Sequence, residues 1–217
     1  MKLFSFFIGL LISSMALAQS HNNGTLSAQI GFDAGVHGTV TENRYNNTVV
    51  SQDTSAAGTT LANISVSYSI TKWLSAGLTF SGGKYIEDPD NAEANGNSIA
   101  VYGVSLRLYP ANKDKFNWWL GADFGKAGLE INRIYTVFST PIDNQYVFKG
   151  NHMSFNTGIN WYFANFMGIH FTMGYSQHKF TLDEYNIEGT AQDLTNTDYT
   201  MNTKGAQFKL GLSFKIN

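Results

Sequence analysis

The chain has no cysteine. An exported form of it must therefore hold together by ordinary packing or by a membrane, with no disulfides. Proline is scarce as well, with three residues in 217. Pro89, Pro110 and Pro141 all fall in polar stretches that read as connections, where a missing N–H breaks no ladder. Charge is the third shortage. Asp, Glu, Lys and Arg make up 14% of the chain, against roughly a quarter in ordinary soluble domains. The formal net charge is −2, so there is no basic footprint and nucleic acid is excluded as a partner. Past the first residues no run of about 20 apolar residues occurs, so no transmembrane helix is expected. That says nothing against a barrel, which crosses a membrane with alternating strands.

What is present points to β-structure. Glycine is frequent at 21 residues, and aromatic residues reach 14%. The chain opens with Lys2, an apolar run over 3–12, and Ala16-Leu17-Ala18, which fits a small-x-small cleavage site. This predicts a secretory signal peptide over 1–18, leaving 19–217 as one domain. With no cysteine to follow, a lipid anchor is not expected.

Alternation then dominates. Leu26, Ala28, Ile30, Phe32, Ala34 and Val36 share one face, and Ser27, Gln29, Gly31, Asp33, Gly35 and His37 the other. Near the C-terminus Ala206, Phe208, Leu210, Leu212, Phe214 and Ile216 alternate with Gln207, Lys209, Gly211, Ser213 and Lys215. Period-2 segments also lie over 62–70, 74–81, 100–108, 118–125, 153–161 and 167–176. Together they predict eight strands with one parity. The connections over 70–73, 110–115 and 163–165 are short, and those over 38–58, 86–97, 127–150 and 181–203 are long and polar. Short turns at one end and long loops at the other predict an all-β, eight-stranded antiparallel up-and-down transmembrane barrel.

The polar face is too small and too poorly charged for a soluble surface, but it suits a narrow lumen. The apolar face carries aromatic residues at its short-turn end: Tyr68, Trp73, Tyr109, Trp118, Trp161, Phe163 and Phe166. Such rings favour a bilayer interface, so these seven are expected to form a girdle. In FNWWLGADFG, over 116–125, the adjacent tryptophans must face opposite ways. Trp118 is expected outward in the girdle and Trp119 inward, closing the lumen.

Asp33 on the first strand and Lys209 on the last become neighbours on closure, and an ion pair is expected because an unpaired charge there is costly. Arg107, Asp123 and His170 complete the expected polar lumen network. His152-Met153-Ser154 is similar to the His-x-Ser pairing of a lipid A deacylase barrel. Its parity turns both side chains into the lumen, and no orienting acid is identifiable, so catalysis is not expected. The acidic run over 87–93 lacks the ligand spacing of a calcium loop. No metal site or cofactor is expected. The segment 127–150 is rich in apolar residues and is expected to rise above the membrane as a protruding hairpin.

YSITKWLSAGLTFSG over 68–82, WYFANFMGIHFTMGYS over 161–176 and the terminal FKLGLSFKIN resemble the small outer-membrane barrels of the OmpA/OmpX/OmpW type. The resemblance implies residence in a Gram-negative outer membrane, contact with its lipid and lipopolysaccharide, and insertion by the barrel assembly machinery as a monomer. The family usually ends on an aromatic residue. This chain ends Lys215-Ile216-Asn217, with Phe214 as the nearest aromatic, so the assembly signal is expected to be shifted or degenerate. No peptidoglycan-binding domain of the OmpA kind is expected. The resemblance implies a non-enzymatic structural or surface-binding role, with partners reached through 38–58 and 127–150. Two alternatives are a narrow conduit for small hydrophobic molecules and, more remotely, a lipid-modifying enzyme.

Overall fold

The computed structural model describes residues 21–87, 93–94 and 96–216. The expected signal peptide and most of the acidic run lie outside them. Eight long strands form the barrel: β1 (Leu26–Tyr45), β2 (Thr48–Thr71), β3 (Leu74–Glu87), β5 (Ser98–Lys113), β6 (Phe116–Val137), β7 (Thr140–Tyr162), β8 (Met167–Ile187) and β10 (Thr197–Ile216). Two short pieces, β4 (Glu93–Ala94) and β9 (Thr190–Ala191), pair with β6 and β8. Every long strand pairs antiparallel with its neighbour in the chain, and β10 closes the ring by pairing with both β1 and β8.

Period-2 patterning decides which way each side chain points. On β1, Ile30, Phe32 and Val36 are exposed while Ser27, Gln29, Asp33 and His37 are buried. The apolar face is therefore outside and the polar face inside, the reverse of a soluble domain. Only a surrounding apolar medium makes that arrangement favourable.

The strands run well past the ~9–11 residues needed to cross a bilayer, reaching 24 residues in β2. This corrects the expected loops. Residues 38–58 are almost entirely strand, with a turn at Asn46-Asn47, whereas 127–150 form the expected hairpin: the end of β6, a turn at Phe138-Ser139, and the start of β7. Residues 181–203 likewise hold the end of β8, β9 and the start of β10. In the first two hairpins both turn residues have positive φ: 49° and 63°, then 49° and 67°. That is the geometry of a two-residue type I′ hairpin, whose twist matches the strands it joins. Over 38–58 and 181–203 neither face meets lipid, so the alternating signal fades.

The prolines need the same correction. Pro110 lies within β5, in the register shift between Leu108 and Ala111, and Pro141 is the second residue of β7. A bulge and a strand start are two places where a ladder tolerates proline. Pro89 lies outside the described residues.

Two glycine pairs sit where neighbouring strands approach closely. Gly31 faces Gly211 across β1 and β10, and Gly103 faces Gly125 across β5 and β6. A Cβ on Gly31 would stand 2.3 Å from the Leu210 carbonyl oxygen, and one on Gly125 2.0 Å from that of Tyr102. No side chain fits either approach.

Candidate functional site

The lumen is built in layers. At the short-turn end His21 folds into the barrel mouth. Its backbone N–H donates to Asn112 Oδ1 at 3.0 Å, and its ring lies 2.9 Å from Ser27 Oγ and 3.3 Å from Asn117 Nδ2. Tyr109 packs against the His21 ring, and the Lys215 ammonium sits over the Tyr162 ring at 4.4 Å.

Tyr109 corrects the expected girdle. It is 4% exposed and points into the lumen, 3.2 Å from Ser75 Oγ. It shares the odd parity of Arg107 on β5, so it lies on the polar face. Tyr68, Trp73, Trp118, Trp161, Phe163 and Phe166 face outward.

Above this, Gln29 donates to Asn160 Oδ1 at 2.8 Å, and Arg107 donates to Ser65 Oγ at 3.1 Å. The Arg107 guanidinium lies 4.6 Å from the centre of the Trp119 ring. Trp119 is 3% exposed, whereas its neighbour Trp118 is 40% exposed and donates to Thr157 Oγ1 at 2.8 Å. The two tryptophans thus occupy opposite sides of the wall.

The next layer holds the charges. Asp33 and Lys209 are register partners, with Nζ 3.6 Å from Oδ2. Asp123 approaches the same ammonium at 4.0 Å. Ser154 and Asn156 donate to Asp123 Oδ2 at 3.0 and 2.8 Å, and Gln207 donates to Asn156 Oδ1 at 2.6 Å. One lysine thus faces two carboxylates, and a neighbouring hydroxyl and amide also serve Asp123. Of the five expected network residues, Asp33, Asp123 and Lys209 meet here. Arg107 and His170 belong to the layer below, where the His170 ring lies 3.3 Å from the Leu212 carbonyl oxygen.

A histidine layer follows, which the sequence reading did not assemble. His152 and His178 lie 3.3 Å apart through their Nδ1 atoms, and the His37 ring meets His178 edge-on at 6.0 Å. Both members of the His-x-Ser motif do point inward, but they turn to different partners. His152 meets His178, and the Ser154 hydroxyl donates its hydrogen bond to Asp123 rather than to an imidazole. That is not the geometry of an activated nucleophile. Among the described residues, no group of three or more acidic or histidine side chains is arranged to hold a metal.

These layers leave little room. The voids among them have volumes of about 20 and 10 Å³, at most the space of a single water. Higher up, the lining turns apolar, with Leu129, Ile131, Phe148, Phe180 and Met201 buried inside the extended strands. Over this floor opens a cup of about 360 Å³, walled by Tyr135, Tyr146, Tyr185 and Tyr199. Tyr146 and Tyr185 stack at 4.7 Å. Burial, reinforced by the neighbouring Tyr185 hydroxyl, pushes the Tyr146 phenol above its usual range, and burial also raises Tyr199. Both therefore stay neutral. Arg133, at the rim, is held by Glu87 at 2.5 Å.

The geometry has clear counterparts among solved structures. The outer membrane protein OprG from Pseudomonas aeruginosa superposes with a TM-score of 0.62, covering 92% of this chain and 99% of that one at 11% identity. AlkL, solved in DMPC lipid bilayers, gives a TM-score of 0.55 over 93% of this chain and 94% of its own, at 12% identity. This is the fold of the small outer-membrane β-barrels. No family model and no curated protein matches the sequence, so the likeness to these barrels is one of architecture. In a barrel of this fold, quenchers carried on lipid chains should reach Trp118 and spare Trp119. Replacing Trp118 with phenylalanine should shrink the quenchable emission in brominated-lipid vesicles. Replacing Trp119 should remove only shielded emission, and the opposite pattern would reverse the assignment.

Proposed function

We propose that this protein resides in the outer membrane as a closed, non-enzymatic barrel that binds at the cell surface through its extended hairpins. The observation that carries the reading is the contrast along the axis. The lower and middle lumen keeps voids of about 20 and 10 Å³, while the upper part opens into a cup of about 360 Å³. Eight strands close too tightly for an aqueous channel, and here the remaining space is filled by paired polar side chains. The cup, with an apolar floor, four phenols and one paired guanidinium, suits a small planar molecule with a polar edge. The exposed strand hairpins around 38–58 and 127–150 offer backbone and side chains to larger partners.

A second reading follows from the same cup. Its apolar lining of Ile131, Phe148 and Met201 would also receive a small hydrophobic molecule on its way into the membrane. Planar bilayers separate closed binding from passage of ions. The expected result is no resolvable channel from inserted, heat-modifiable protein. A steady open conductance would sink the closed-barrel reading.

A further inference from the structure

The outer wall changes chemistry over a few rows of residues. Across β6, β7, β8 and β10 the row Ala122, Phe155, Tyr175 and Ala206 is apolar except for one phenol. Two residues higher stand Phe124, Met153, Gln177 and Lys204, and two higher again Lys126, Asn151, Lys179 and Asn202. Lys149 lies in the row above that, opposite Gly128. Lysines therefore gather just past the edge of the apolar band. Next to Lys204 and Asn202 the wall carries no further charge, with Gly38, Val40, Thr54 and Ala56 on β1 and β2.

This face is hollowed into a groove of about 940 Å³, lined among others by Tyr102, Lys126, Lys149, Asn151 and Lys179. Gly128 contributes no side chain, which leaves the hollow open above Lys126. Lys149 is closed by Asp183 at 2.6 Å. Lys126 donates to Asn151 Oδ1 at 2.8 Å. Among the described residues, no carboxylate comes within ion-pair distance of Lys126 or Lys179. These two lysines stand two strands apart, roughly 10 Å at the backbone, so both ammonium groups can converge on one anion between them.

We propose that this groove holds the phosphorylated sugar headgroup of an outer-leaflet glycolipid. Lys126 and Lys179 grip one phosphate as point charges, and the Asn151 amide donates between them. The acyl chains run down the column Met153, Phe155, Met173 and Tyr175 immediately below. This rests on the reading that the apolar band lies in the outer membrane.

The test uses the refolded chain without residues 1–18, its mature form as expected from the sequence, in mild detergent. Retention of bisphosphorylated lipid A is compared by native mass spectrometry with that of its dephosphorylated form. The wild type should hold lipid A about tenfold or more tightly than the dephosphorylated lipid, and the double variant Lys126→Ala/Lys179→Ala should lose that preference. Lys113→Ala/Lys115→Ala, at the opposite end, should keep it. Where the alanine pair fails to fold, Lys126→Gln/Lys179→Gln replaces it. Equal retention of the two lipids, or a folded double variant that retains lipid A, would overturn the proposal. Displacement of lipid A by inorganic phosphate alone would reassign the site to the free ion and overturn the lipid. A protein found in the soluble fraction would sink the membrane reading itself. A heat-modifiable, membrane-inserted barrel without the preference would sink this inference alone.

Discussion

Replacing Lys209 with methionine should destabilise the barrel by about 3–5 kcal/mol, the range for removing one partner of a buried ion pair. The ammonium lies 3.6 Å from Asp33 and 4.0 Å from Asp123. Without it, two carboxylates share one narrow compartment with no cation between them. Ser154 and Asn156 still serve Asp123, but Asp33 Oδ1 has no hydrogen-bond partner among the described residues even in the intact protein. Denaturant unfolding in micelles, followed by tryptophan emission and gel mobility, measures the loss. The triple variant Asp33→Asn/Asp123→Asn/Lys209→Met should recover most of it, because a neutral set leaves no charge unpaired. A single variant as stable as the wild type would show that the three charges contribute nothing net.

Trp119→Ala should cost a comparable amount, about 3–5 kcal/mol, by transfer and cavity terms together. The ring is almost wholly buried and lies beneath the Arg107 guanidinium at 4.6 Å. It also fills the space that Gly158 leaves open: a Cβ there would stand 2.5 Å from the ring. Large and small residues are thus matched across β6 and β7, and removing the large one leaves a hole that the closed wall cannot collapse into. Trp118→Ala, on the outer surface, should cost clearly less. Equal losses from both variants would contradict the assignment of the two rings to different environments.

How much of this was legible in the sequence depended on whether a face met lipid. Along β1, Ile30, Phe32 and Val36 alternate with Gln29, Asp33 and His37, and that contrast specifies strand, parity and lumen at once. Asp33 and Lys209 could be paired because they sit on the first and last strands, which closure makes neighbours. Tyr109 was misplaced by its chemistry: an aromatic beside a short turn suggests a girdle, yet its parity with Arg107 already turned it inward. The hairpins beyond Gly38 and Thr181 were hidden because polar residues on both faces carry no period. The histidine layer was out of reach for another reason. His37 meets His178 across the lumen, with β10 between their strands, and no pattern within one strand announces such a contact.

The seam between β1 and β10 carries a further consequence. It runs from Leu26 opposite Ile216 to Tyr45 opposite Thr197 without a register shift. These are the first and last strands of the barrel, so the seam can be sealed only after the whole chain is present. Serine, threonine and apolar residues along it would tolerate sliding by two positions, which preserves parity, but Gly31, packed against Gly211, would not. Nor would Asp33, which such a slide sets opposite Gln207 or Gly211 instead of Lys209. The glycine pair and the ion pair at this seam thus single out one register among those that keep the same face inward.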